Sequence, residues 1–94
     1  MIGIDPVPLF PLGSIVITPG AVATLDQASV KLAIAKHAAG DWGILGADDR
    51  RRNDETVLNG GTLASIYQDS RGKKFYVLTE SDRTRTSVLL PEEY

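Results

Sequence analysis

His37 is the chain's one imidazole, and so the one side chain whose ordinary pKa lies close to neutrality. The last third of the sequence crowds Glu80, Asp82, Arg83, Arg85 and Thr86 into strand ends and a turn. General acid–base chemistry needs groups that exchange protons near the working pH, and a phosphoryl transition state needs a cation beside it. His37 as acid, Glu80 as base and Arg83 as phosphate clamp would supply what a metal-independent ribonuclease requires. The same residues have plainer readings. Glu80 and Arg85 can face each other across a hairpin as an ion pair. His37, at the end of a predicted helix, can cap it while its ring covers the edge of the core.

A second constellation surrounds Trp42, the only tryptophan, held with Asp41 between Gly40 and Gly43. Its indole offers a large apolar surface and one N–H donor. It either plugs the core or stacks on a partner, in which case Asp41, Trp42, Tyr67, Arg85 and Thr86 make up the binding residues. Neither Gly60-Gly61 nor Gly40-x-x-Gly43 has the strand-then-helix setting of a phosphate-cradling loop. Ser65 stands far along the chain from His37, so no catalytic triad is read from the two. With no cysteine and one histidine, no metal and no cofactor are expected.

The elements that must position these groups follow from pattern. Ser14–Thr18 is short and β-branched, a strand. Thr18-Pro19 has the form of a helix start, with Thr18 as N-cap and a short turn of helix running to Leu25. Asp26 can cap a longer helix to about Ala39, with Val30, Ala33, Ile34 and His37 on one face and Gly40 as its left-handed stop. From Ala47 to Asn59 acids precede bases, which suits a surface helix. Three strands follow: Thr62–Gln68, Lys73–Glu80 and Thr84–Leu90. Asp69-Ser70-Arg71-Gly72 and Ser81–Arg83 turn the chain between them. On the central strand Phe75, Val77 and Thr79 share one face, and Tyr76, Leu78 and Glu80 the other.

Hairpin-linked strands pair antiparallel. The expected fold class is therefore α+β: two or three helices packed on one face of a three- to four-stranded antiparallel sheet, with Ser14–Thr18 joining by a non-local pairing. Residues 1–13, carrying Pro6, Pro8 and Pro11, read as an extended arm that lies on the surface or reaches a neighbouring chain. Residues 14–94 read as a single domain.

Composition bounds the function. A chain of 94 residues makes one domain with one modest core. At 43% hydrophobic and 23% charged it is not a disordered chain. Its net charge of −2 is unlike the basic balance of a dedicated nucleic-acid binder. Arg71, Lys73, Lys74, Arg83 and Arg85 nonetheless keep nucleic acid as a lesser reading, beside the plainer one of strand edges charged against aggregation. The absence of cysteine fits a cytoplasmic protein. MIGIDPVPLFPLG lacks the basic and apolar regions of a signal peptide. No stretch approaches the roughly 18 apolar residues that span a bilayer, so no membrane association is expected.

Several segments together resemble a known family. They are Pro11-Leu12-Gly13 with Ile15-Val16 and Thr18-Pro19-Gly20-Ala21; His37-x-x-Gly40-Asp41-Trp42-Gly43; Leu63-x-Ser65-x-Tyr67; Thr79-Glu80-x-Asp82-Arg83-x-x-Thr86; and Leu89-Leu90-Pro91-x-Glu93-Tyr94. The chain is similar over nearly its whole length to small bacterial proteins frequent on plasmids and other mobile elements, which carry such labels as "plasmid-related protein" and "type I restriction subunit". It departs from them at Lys36, where an arginine is usual, and at Thr84, where a serine is usual. The resemblance implies no particular chemistry, and this length cannot hold a methyltransferase fold.

Two functions from different classes follow. The first is a non-enzymatic interaction protein that binds a host or defence protein, as a homodimer through the arm or a sheet edge. The second is a small endoribonuclease resembling the barnase and colicin-type toxins, which also set helices before an antiparallel sheet. It requires His37 within reach of Glu80 and Arg83.

Overall fold

The computed structural model describes residues 8–94. Strand β1 (Ser14–Ile17) leads into helices α1 (Pro19–Thr24), α2 (Gln27–Ala38) and α3 (Ala47–Asn59). Strands β2 (Leu63–Gln68), β3 (Lys74–Thr79) and β4 (Arg85–Leu89) follow, and a 3-10 turn at Pro91–Glu93 closes the chain. Three helices pack on a four-stranded sheet, an α+β fold.

The helix starts form as their capping chemistry requires. Thr18 accepts from the Ala21 N–H at 3.2 Å, with Pro19 at the first helical position. Asp26 accepts from the Ser29 N–H at 3.0 Å. Each satisfies a donor that the first turn of a helix leaves free.

The sheet order is β1-β4-β3-β2. The hairpins β2–β3 and β3–β4 are antiparallel, but β1 runs parallel to β4, so the sheet is mixed rather than wholly antiparallel. Tight turns dictate the direction of the three C-terminal strands. No turn constrains β1, whose partner lies at the far end of the chain. Its direction is set instead by the Ser14 N–H bond to Thr84 O (3.0 Å) and the Thr18 N–H bond to Val88 O (3.1 Å). Gly13 makes this approach possible. Its φ is 66°, and a Cβ there would overlap the Thr84 carbonyl.

Alternation sorts the sheet into two faces. Leu63, Ser65 and Tyr67 of β2, Phe75, Val77 and Thr79 of β3, and Thr86 and Val88 of β4 are all buried. Ala21, Leu25, Val30 and Ala33 of the first two helices and their junction join this face in one core, with Ile17 and Ile34 at its margin. A second cluster of Phe10, Trp42 and Leu63, flanked by Val57 of α3, closes the β2 side. Phe10 is only 5% exposed, and the Leu9 N–H bonds to Ala38 O at 2.8 Å. The segment 8–13 is thus packed into the domain, whereas residues 1–7 of the expected arm lie outside the described residues.

Candidate functional site

The last turn of α2 delivers His37 onto the core face of the sheet, where strand alternation has placed three hydroxyls. His37 Nδ1 lies 2.6 Å from Ser65 Oγ, and Nε2 lies 2.9 Å from Thr79 Oγ1. Thr79 Oγ1 lies 2.7 Å from Thr86 Oγ1, and Thr86 Oγ1 lies 2.7 Å from the Leu12 carbonyl oxygen. A carbonyl carries no proton, so the end of the chain fixes every hydrogen before it. Thr86 donates to Leu12 O and therefore accepts from Thr79. Thr79 then accepts from an N–H on Nε2 of His37. Nδ1, left unprotonated, accepts from Ser65. The result is a one-way relay through a neutral imidazole of defined tautomer.

Burial enforces that neutrality. His37, Ser65, Thr79 and Thr86 are all 0% exposed. Phe10 and Trp42 stand edge-on to the imidazole, with ring centroids at 5.4 and 5.5 Å. Loss of solvent, with the Arg83 guanidinium adding to it, pushes the imidazole pKa down from 6.5 to about 4.

The three residues required for ribonuclease chemistry do not converge on an open site. His37 is enclosed with both ring nitrogens bonded. Glu80 stands on the surface, its carboxylate 2.8 Å from Arg85 Nε, as a cross-strand ion pair would be. Arg83 is committed to backbone: it donates to Gly61 O (2.6 Å), Glu80 O (3.1 Å) and Thr56 O (3.2 Å). Its guanidinium also lies over the Phe10 ring at 5.6 Å. These contacts tie the β3–β4 turn to the C-terminal turn of α3, and they hold Arg83 at a φ of 61°, the left-handed region that residues with a Cβ seldom occupy.

The nominated binding residues also divide. Trp42 is 1% exposed and fills the core, donating from Nε1 to Asp54 Oδ1 at 2.9 Å. Tyr67 is buried, its hydroxyl donating to the Asp41 carbonyl oxygen. Burial pushes that phenol up to about 12. Thr86 belongs to the relay. Only Asp41 and Arg85 remain exposed. Gly43, at φ 74°, lets the Trp42 loop press on β2: a Cβ would overlap the Ile66 carbonyl, to which the Ile44 N–H bonds at 2.9 Å.

Two residues carry more of the structure than sequence reading assigns them. Ser65 touches His37, although nothing in their separation signals it. Asp69, read as turn polarity, is buried and accepts from the N–H groups of Asp26 (3.1 Å), Arg71 (2.9 Å) and Lys73 (2.9 Å). Those bonds hold its carboxyl down to about 2. An Asp opening a four-residue turn was the available signal.

The opposite face of the sheet is the exposed feature. Ala64, Ile66, Tyr76 and Leu78 floor an open apolar cavity of about 350 Å³, with Leu45 and Tyr94 as walls. Tyr94, 77% exposed, meets Tyr76 edge-on at 5.5 Å. Among the described residues no His, Cys, Asp and Glu side chains gather in a metal-holding group, and no helix is long and apolar enough to cross a membrane. No protein-family model, no curated protein and no solved structure matches this chain.

Proposed function

We propose that this chain is a non-catalytic interaction protein that docks a protein partner on the outer face of its sheet. The carrying observation is the contrast in access: the relay that could move protons is enclosed, while the open concavity presents Ile66, Tyr76, Leu78 and Tyr94. Apolar and aromatic groups in a concave, partly open surface are the chemistry of a protein contact. The resemblance of its segments to plasmid-associated proteins makes a host or defence protein the class of partner we propose.

The test is affinity capture from host extract with wild type, Leu78→Lys and Lys36→Ala as baits. A partner retained by wild type and by Lys36→Ala, and lost by a folded Leu78→Lys, is the expected result. Capture indifferent to Leu78→Lys would overturn the reading. So would RNA cleavage by the purified protein that disappears in both His37→Ala and Glu80→Ala.

A further inference from the structure

The two edges of the sheet are treated differently. At the β2 edge the backbone is covered. Ile66 O accepts from the Ile44 N–H, Ile66 N–H reaches Trp42 O at 3.4 Å, and Asn53 donates to Ala64 O at 2.8 Å. At the β1 edge, Ser14 and Thr18 donate inward to Thr84 and Val88, and the parallel register sets Val16 between Thr86 and Val88 in the same ladder. By alternation the N–H and C=O groups of Ile15 and Ile17 point outward, and among the described residues nothing bonds to them. Ile15 is 44% and Val16 40% exposed. β1 reads Ser-Ile-Val-Ile, with no charge, proline or bulge to blunt the edge.

We infer that β1 is a homotypic docking edge: a second copy of this chain pairs with it antiparallel about a two-fold axis, joining the two four-stranded sheets into one. The register follows from which groups are free. Ile15 of one copy faces Ile17 of the other, each such pair exchanging both N–H···O bonds. Val16 meets Val16 on the axis, a non-hydrogen-bonded pair with Cα atoms about 4.5 Å apart.

The edge is self-complementary: each copy offers the same two outward residues, Ile15 and Ile17, in the order that an antiparallel pairing about a two-fold axis requires, and the neighbouring Arg85 cation is already held by Glu80 at 2.8 Å. This assembly is independent of the outer-face contact proposed above.

Charge exchange on the axis tests it. Val16→Lys places two ammonium groups opposite each other, and Val16→Glu two carboxylates. Sedimentation equilibrium of the whole chain should give a dimer for wild type and, for each variant alone, an association weakened by about tenfold or more. An equimolar mixture of the two variants should regain the dimer. Ile15→Pro, which removes an outward donor and leaves the β4 ladder intact, gives a second route to the monomer. Wild type that stays monomeric at every concentration overturns the inference. So do variants that dimerise undiminished, a mixture that fails to reassociate, or a dimer broken by Leu78→Lys but not by the Val16 variants.

Discussion

The two faces of the sheet differ in how they treat polarity: the covered face sets a few polar groups inside an apolar core, and the open face exposes apolar ones. The covered face holds a histidine and three hydroxyls at zero exposure, and among the described residues no buried side-chain polar atom lacks a partner. The open face holds Ile66, Tyr76 and Leu78 around a cavity. A buried polar group costs little once every bond it needs is made, but a half-made network costs more than an apolar core. The inner relay therefore specifies one arrangement of α2, three strands and the Leu12 segment. Mismatched alternatives would leave a donor or acceptor bare. The outer face has no such network: among the described residues Leu45 and Tyr94 wall its cavity and leave it open.

The largest expected break in this contrast is Trp42→Ala. It removes the wall of the His37 chamber and the Nε1 bond to Asp54, and should cost about 3–5 kcal/mol of stability. Urea denaturation would read this as a lower midpoint with little change in slope. The equivalent truncation on the open face, Tyr76→Ala, should cost clearly less.

Acid gives the next largest effect. An unfolded His37 takes a proton near pH 6.5, whereas the folded one resists until about 4. The unfolded state thus binds more protons between those values, and stability falls as pH drops from 6.5 to 4. The loss is on the order of 3 kcal/mol, and it is complete below the folded value. Melting temperatures across that window would show the slope, and a folded His37→Gln variant should flatten it. Asp69 acts in a lower window, its contribution present above 3.8 and lost as pH falls toward 2.

Thr86→Val interrupts the relay at its last hydroxyl, leaving the Thr79 donor and the Leu12 carbonyl without each other's link. A loss of about 1–3 kcal/mol is expected in chemical denaturation. Ser87→Ala, one residue along on the other face, should change stability by less than about 0.5 kcal/mol. Among the polar interactions removed, the smallest effect is expected from Glu80→Ala. It deletes a half-exposed ion pair worth about 0–1 kcal/mol, and its melting temperature should stay close to wild type.

How much of this was legible in the sequence depended on range. Local chemistry read through: Thr18 and Asp26 as caps, Gly40 as a stop, the span of α3, and the face shared by Phe75, Val77 and Thr79 each follow from a few neighbouring residues. The Glu80–Arg85 pair did too, since a tight hairpin sets its register. The parallel direction of β1 and the meeting of His37 with Ser65 and Thr79 did not. Those contacts join distant segments, and no short pattern encodes them. His37 illustrates the difficulty best. Its type suggested proton transfer near neutrality, but the chamber that Phe10 and Trp42 build around it removes both the solvent and the charge that such a role needs.

The pairing of β1 with β4 also sets an order of events during synthesis. Among the described strands, the first to be synthesised is partnered by the last, and the relay likewise waits for Thr79 and Thr86. Until residues 85–89 emerge, Ser14–Ile17 has no ladder and His37 no complete set of partners. This fold therefore completes only once residues 85–89 are free to pair, and until then the nascent protein carries an apolar strand without its ladder, the interval in which holding chaperones would matter most.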